Sequence, residues 1–275
     1  MTPTPEAKAK LFSIFKEHIL SPTEVVRRAL TQVVEERKFD ADYIKAHFSE
    51  LVTGTQERAY DIFLDSQRSS WRKSIQTFLG KTLPENVTRA EVAQFLTDQF
   101  EELDSFFLSL TNSRRPRAGS AFQITINELF KRLGYPLVEQ PEIDGIPDFL
   151  LPSIEHFRKN PIDCIIFTVK RTLRERWRQI VTEGTRGLGF FLATIDESVS
   201  EKQLEEISAN RIYLVVPIEL KSDVKVYKSA VSVITFESFF EDHLDPAFRR
   251  WVRAGILDSG KLTSYTRSNK DAWRY

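Results

Sequence analysis

The hydrophobic positions of the first 112 residues recur with the period of an α-helix throughout. Ser21-Pro22-Thr23-Glu24 supplies a cap residue, a proline at the first helical position and a glutamate placed for a capping box. Thr88-Arg89-Ala90-Glu91 repeats this capping chemistry, and residues 40–79 predict one or two helices that end at Gly80. We therefore predict a helical N-terminal domain over residues 1–112.

From residue 113 onwards, short runs of β-branched and aromatic residues are separated by helical segments. The predicted strands cover residues 162–169, 188–194, 212–216 and 231–235, and the predicted helices cover residues 174–182, 201–208 and 247–252. An earlier helix is predicted over residues 122–133, capped by Ser120 and ended by Gly134. Strands that alternate with helices predict an α/β (α+β) domain over residues 113–275, built around a mixed or parallel sheet.

Composition narrows the class of protein. Among the 275 residues, 39 basic side chains balance 39 acidic ones, which excludes a globally basic nucleic-acid coat but allows a local basic groove. The longest apolar runs fall far short of the roughly 18 residues that a membrane span needs, and no secretory leader is recognisable. The single cysteine, Cys164, excludes an internal disulfide and a cysteine-rich zinc site. We expect a soluble intracellular protein.

Several common catalytic motifs do not occur in the sequence. It contains no His-Glu-x-x-His, no phosphate loop that ends in Gly-Lys-Ser/Thr and no Gly-x-Ser-x-Gly elbow. The glycine-rich run over residues 184–189 precedes a predicted strand rather than following one, so we interpret it as a turn.

Asp148 and Lys170 are the first candidates for chemistry. Asp148 follows a Gly- and Pro-rich turn and opens the apolar run Phe149-Leu150-Leu151, whereas Lys170 ends the next predicted strand, on the same face as Thr168. The ends of two neighbouring strands can meet in space. Carboxylates are hard oxygen donors that hold Mg²⁺ against a phosphate, and a nearby lysine can stabilise a metal-bound hydroxide. A similar spacing also occurs where both residues are only structural.

The stretch over residues 170–178 is unusually basic for a chain of zero net charge. It holds five basic residues and one acid, a net charge of +4 in nine positions. Within it, Arg174-Glu175-Arg176 suits base reading, because arginine bonds bidentately to guanine and glutamate accepts from the amino group of cytosine. The alternative interpretation is a solvated helix face with internal ion pairs.

Together, Asp148, Lys170, Arg174-Glu175-Arg176 and Glu183 resemble the pattern of type II restriction endonucleases of the EcoRII, PspGI and NgoMIV group in the PD-(D/E)XK superfamily. In that group a metal-binding aspartate precedes a lysine and an Arg/Lys-Asp/Glu-Arg reader, and a second acid follows seven residues after the reader. Residues 113–119 also resemble the Arg-Ala-Gly signature of the EcoRII-like branch. The likeness covers about residues 113–189.

The resemblance implies a restriction-endonuclease-like domain with a central mixed β-sheet flanked by helices, which cuts double-stranded DNA with Mg²⁺ as cofactor. It implies that Asp148 and Glu183 bind Mg²⁺ and that Lys170 acts on the attacking water. The implied base readers are Arg174, Glu175 and Arg176, and the implied phosphate contacts are Arg114, Arg115, Arg117 and Arg171. The implied site is a palindrome with a CCGG core, WCCGGW, or a related CCNGG or CCWGG sequence.

A palindromic site further implies a two-fold homodimer, or a higher oligomer, with one active site per strand. The helical domain would then form the dimer contact or touch flanking DNA. The resemblance also implies a cytoplasmic protein of a prokaryote that has no membrane partner.

One position departs from the family pattern. The group usually places a glutamate after Arg-Ala-Gly, where this chain has Gln123. A glutamine can offer an amide oxygen to a metal or water but no charge, so one Mg²⁺ per active site is the better expectation.

Two other classes of protein stay open at this point. One is a DNA-binding protein of nuclease descent that no longer cuts, which the Gln123 departure favours. The other is an interaction scaffold with no role in nucleic-acid binding, in which the basic stretch is a solvated surface.

Overall fold

The structure is a computed structural model, and it describes residues 6–34, 40–143, 147–173 and 189–258. The chain forms two compact units. The helical unit comprises Met1–Ala29 and Glu57–Ala121, and the sheet unit comprises Leu30–Gln56 and Phe122–Tyr275. The predicted functional division after residue 112 stays a prediction.

Helices make up most of the described residues up to Leu133. Their bounds are α1 Glu6–His18, α2 Pro22–Val34, α3 Ala41–Ala46, α4 Phe48–Thr82, α5 Arg89–Asp98, α6 Phe100–Asn112 and α7 Arg114–Leu133. Both predicted starts are confirmed. Ser21 Oγ accepts from Glu24 N at 3.2 Å ahead of α2, and Thr88 and Glu91 form a reciprocal capping box ahead of α5.

Two predicted helix boundaries are wrong. Gly80 lies inside α4, which continues to Thr82, because one helical glycine costs only about 1 kcal/mol. Ser120 lies inside α7 and donates its hydroxyl to Pro116 O instead of capping the helix. The helix can begin as early as Arg114, because Pro116 then lies in the first turn, where its missing N–H breaks no intrahelical hydrogen bond. Its predicted end is confirmed by Gly134, whose φ of 72° is left-handed.

The helical unit has its own apolar core. Phe106 lies at its centre, fully buried, with its ring 5.1 Å from that of Phe12 and 6.1 Å from that of Phe15. Phe78 and Leu110 belong to the same cluster. Packing explains the apolar spacing at these buried positions.

The sheet unit contains a six-stranded mixed sheet within the described residues. The strands are β1 Val138–Glu139, β2 Phe149–Leu151, β3 Ile165–Val169, β4 Gly189–Ala193, β5 Ile212–Val216 and β6 Val233–Thr235, in that spatial order. The first three strands pair antiparallel, and β3 to β6 pair parallel. The predicted fold class, a mixed sheet accompanied by helices, is confirmed.

Helices connect and follow these strands. They are α8 Ile154–Lys159, a 3₁₀ turn Pro161–Asp163, α9 Glu201–Ala209, α10 Ile218–Asp223, α11 Lys225–Ser229, α12 Phe236–Ser238, a π-helical turn Phe239–Leu244 and α13 Asp245–Arg253. The helices predicted over 201–208 and 247–252 are confirmed as α9 and α13, whereas the one predicted over 174–182 lies outside the described residues.

Both faces of the sheet are covered by apolar side chains. On one face, Leu150 and Ile166 are paired across β2 and β3 and belong to a large buried cluster. On the other face, the rings of Phe149 and Phe167 contact Phe130 of α7. All five residues of β3 are buried, as expected for a central strand.

None of the helices among the described residues is long and apolar enough to cross a lipid bilayer.

Candidate functional site

The antiparallel pairing of β2 with β3 brings Asp148 and Lys170 to the same end of the sheet. Phe149 lies opposite Phe167, so Asp148, just before β2, falls beside the last residues of β3. Lys170 follows β3 directly, and its Nζ lies 3.3 Å from Asp148 Oδ2. The two residues that the sequence singled out are therefore in direct contact.

The Asp148 carboxylate is buried, and the end of β3 supplies its hydrogen bonds. Its Oδ2 atom accepts from Thr168 Oγ1 at 2.7 Å and from Val169 N at 2.7 Å, in addition to Lys170. Burying a carboxylate is costly unless hydrogen bonds replace its hydration. These donors stabilise the carboxylate and hold it in one orientation.

Gln123 completes this shell from α7. Its Nε2 donates to Asp148 Oδ1 at 2.9 Å, so both carboxylate oxygens have a protein donor. A glutamate at this position would instead bring a second negative charge against Asp148. The departure from the family pattern thus places a neutral donor beside the aspartate.

Lys170 combines a fixed backbone with a partly exposed head group. Its N–H donates to Ala193 O at 2.9 Å, which ties the end of β3 to the end of β4. Its side chain is 38% exposed, whereas that of Asp148 is 10% exposed. The ammonium group can therefore reach a molecule at the surface while it stays beside the carboxylate.

The donor set suits a hard divalent cation. Mg²⁺ is usually held by one or two carboxylates and completes its shell with water and phosphate oxygens. Asp148 supplies one such carboxylate, and Glu183, the predicted second ligand, lies outside the described residues. Within the described ranges no group of three or more His, Cys, Asp or Glu side chains is placed to hold a metal.

The predicted DNA-contacting residues fall in different places. The base readers Arg174, Glu175 and Arg176 lie outside the described residues, as does the side chain of Arg115. Arg171 is exposed, directly after Lys170.

Two of the predicted phosphate contacts have internal partners in the helical unit. Arg114 donates to Gln67 Oε1 at 3.0 Å. Arg117 donates to Leu20 O at 3.1 Å, lies 5.4 Å from the centre of the Phe63 ring and has a pKa lowered by burial. Their role at phosphates stays a prediction.

Sequence reasoning missed the supporting residues of the site. Thr168 was placed on the face of Lys170, but nothing in the sequence indicated that its hydroxyl binds Asp148. Asp196, which follows β4, was not singled out, although it is buried and accepts from Leu173 N at 2.8 Å. A signal for it exists in the pattern Asp-x-Ser at residues 196–198, which is typical of a side chain that caps its own turn.

Comparison with known proteins identifies the family of this chain. The family model described as EcoRII C terminal matches residues 81–240, more than half of the chain. The chain belongs to the EcoRII C-terminal family. The resemblance to EcoRII-like type II restriction endonucleases is thereby confirmed, and with it the assignment as a type II restriction enzyme.

Individual members of the EcoRII group are recognisable at moderate identity. The type II restriction enzyme SsoII of Shigella sonnei is 23% identical over 259 residues, which cover 90% of this chain and 84% of that enzyme. The type II restriction enzyme EcoRII of Escherichia coli is 31% identical over 154 residues, which cover 53% of this chain and 37% of that enzyme.

Two solved protein–DNA complexes share the fold of this chain. Metal-depleted Ecl18kI in complex with uncleaved, modified DNA has a TM-score of 0.75 at 24% identity, covering 90% of this chain and 85% of that one. The restriction endonuclease PspGI–substrate DNA complex has a TM-score of 0.61 at 18% identity, covering 86% of this chain and 96% of that one.

Proposed function

We propose that this enzyme uses Mg²⁺ to hydrolyse phosphodiester bonds in double-stranded DNA at a palindromic sequence with a CCGG core, WCCGGW. The observation that carries the proposal is the contact between the buried Asp148 carboxylate and the partly exposed Lys170 ammonium. Membership of the EcoRII C-terminal family and the DNA complexes named for Ecl18kI and PspGI support DNA as the substrate. Related CCNGG or CCWGG sites are the alternative specificities.

Asp148 and Glu183 would hold the Mg²⁺ ion. When bound, the ion lowers the pKa of a coordinated water and balances charge on the phosphate. Thr168 and Val169 N bind one oxygen of Asp148, and Gln123 binds the other. These hydrogen bonds fix the orientation of the carboxylate, and with it the direction in which its oxygens face a bound metal ion.

Lys170 serves the attacking water. Its ammonium group donates hydrogen bonds and carries a positive charge beside the position where negative charge develops on the oxygen and the phosphate. Its backbone bond to Ala193 O fixes the point from which the side chain extends. The Lys170 ammonium group is thus in place before DNA binds, so that less rearrangement is needed during the reaction.

The proposed base readers are Arg174, Glu175 and Arg176, four to six residues after Lys170. Each bidentate contact to a base pair contributes about 1–3 kcal/mol of discrimination. The exposed Arg171 lies between the proposed catalytic lysine and this reader and suits a phosphate contact, which positions DNA without reading its sequence. Arg114, Arg115 and Arg117 are further proposed phosphate contacts.

A two-fold symmetric site calls for a two-fold symmetric enzyme. We include in the proposal a homodimer, or a higher oligomer, in which each protomer cuts one strand. The helical region contributes either the dimer contact or contacts to flanking DNA.

Plasmid digestion tests the proposal. Purified protein is incubated with plasmid DNA and MgCl₂, or with EDTA, and the ends of any fragments are sequenced. The proposal predicts discrete fragments that appear only with MgCl₂ and whose ends share a CCGG core. Tight binding to duplex DNA without any cleavage would instead favour a DNA-binding protein of nuclease descent.

A further inference from the structure

The chain that leaves β3 is tied at successive points to the segment that leaves β4. The hydrogen bonds run from Lys170 N to Ala193 O at 2.9 Å, from Thr194 Oγ1 to Arg171 O at 3.2 Å and from Leu173 N to Asp196 Oδ2 at 2.8 Å. The two segments thus stay hydrogen-bonded beyond the ends of both strands, as far as Leu173 and Asp196.

Asp196 is the charged member of this connection. Its carboxylate is buried, with a residue exposure of 6%, and its Oδ1 accepts from Ser198 N at 3.0 Å and from Ser198 Oγ at 2.6 Å. The hydroxyl of Tyr227 donates to its backbone carbonyl. A buried carboxylate with both oxygens bonded is costly to build and fixes the geometry of the groups that it binds.

The bond from Leu173 N identifies the segment on which Asp196 acts. Lys170 N is held by Ala193 O, a bond that does not involve the Asp196 side chain. Leu173 is anchored twice, by its buried side chain, which is 1% exposed, and by the Asp196 carboxylate. The next residue in the sequence is Arg174, the first of the proposed base readers.

We propose that Asp196 is a positioning residue for sequence discrimination, because it fixes the last backbone N–H before the reader. This inference rests on the proposed function of Arg174, Glu175 and Arg176. Bidentate recognition of a base edge depends on precise placement of the arginine. A less firmly held backbone before Arg174 should therefore reduce discrimination between sequences more than it reduces the rate of cleavage.

The test uses two variants and a matched control. Asp196→Ala removes the acceptor of Leu173 N, and Asp196→Asn keeps the shape but replaces one acceptor with a donor. Tyr227→Phe is the control, because it removes a donor to the same residue without touching the bond to Leu173. Each protein is given the duplex that the wild type cuts, in competition with duplexes changed at one base pair, so that the ratio of cleavage rates is independent of the active fraction.

We expect both Asp196 variants to lose about ten-fold or more of the wild-type discrimination, equivalent to about 1.4 kcal/mol, and to cut the preferred duplex within about three-fold of the wild-type rate. Tyr227→Phe should keep the wild-type ratio. Discrimination within two-fold of wild type in the Asp196 variants, or an equal loss on all duplexes, would overturn the inference. A wild-type protein that does not cut, or a Lys170→Ala variant that cuts normally, would instead overturn the proposed function.

Discussion

Lys170 Nζ and Asp148 Oδ2 lie 3.3 Å apart although 22 residues separate them in the chain. Antiparallel pairing of β2 with β3 produces this contact, because Asp148 precedes one strand and Lys170 follows the other. The carboxylate is buried, whereas the lysine side chain is 38% exposed. The pair therefore presents one charged group to the surface while the other is held inside the protein.

The hydroxyl of Thr168 stabilises the Asp148 carboxylate. Thr168→Val keeps the shape of a residue that is 3% exposed but removes the 2.7 Å hydrogen bond to Oδ2. Bonds to charged groups contribute about 1.5–3 kcal/mol, so we expect the free energy of unfolding in urea to fall by about 2 kcal/mol, together with a slower cleavage.

Thr55→Val is the matched control. Thr55 is also fully buried in the sheet unit, but its hydroxyl has no hydrogen-bond partner among the described residues. Its replacement should leave the free energy of unfolding unchanged or raise it by up to about 1 kcal/mol. An equal loss of stability in both variants would show that the hydrogen bond from Thr168 to Asp148 does not contribute to the free energy of unfolding.

Gln123 places an uncharged hydrogen-bond donor beside the Asp148 carboxylate. Gln123→Glu replaces the donor that lies 2.9 Å from Oδ1 with a second negative charge. We expect a lower Tm in EDTA, because two like charges then share one site, and a larger rise of Tm on adding MgCl₂ than in the wild type. Thermal unfolding with and without MgCl₂ measures both effects. A rise of Tm on MgCl₂ no larger than that of the wild type would contradict the proposed place of Mg²⁺ beside Asp148.

Lys45 makes stability depend on pH. Burial lowers its pKa from 10.5 to about 8, although Asp245, 2.6 Å away, favours the charged form. Asp42 also favours the charged form and Arg249 opposes it, and the Tyr135 hydroxyl donates to Asp245 Oδ1. Because the unfolded lysine keeps its proton up to about pH 10.5, the unfolded state binds more protons than the folded state above pH 8, and stability rises with pH there.

The expected size of this effect is about 1 kcal/mol between pH 7 and pH 9. Urea unfolding at the two pH values measures it, and Lys45→Met gives the reference without the titrating group. The wild type should gain this amount relative to Lys45→Met. A difference between the two proteins that is the same at both pH values would show that the lysine does not titrate in this range.

Local patterns predicted much of the fold. The cap residues of α2 and α5 and the strands β3 to β5 follow from local periodicity. The closeness of Asp148 and Lys170 follows from their places at the ends of two neighbouring strands. The start of α7 could not be predicted in this way, because Pro116 and Gly119 are typical of a turn, although the helix continues through both.

The supporting hydrogen bonds of the site could not be predicted, because they depend on register between distant segments. Gln123 reaches Asp148 across 25 residues, and Asp196 reaches Leu173 across 23. Neither spacing has a periodic signature in the sequence. The identities of these residues were visible, but their partners became apparent only when the ends of β2, β3 and β4 were placed side by side.

Single-turnover cleavage by Lys170→Ala tests the central claim most directly. Its control is Lys202→Ala, which changes an exposed lysine of α9. With MgCl₂ and the duplex that the wild type cuts, Lys170→Ala should bind DNA within a few-fold of the wild type but cut it at least a hundred-fold more slowly, while Lys202→Ala cuts normally. Cleavage by Lys170→Ala at the wild-type rate would contradict the assignment of the active site.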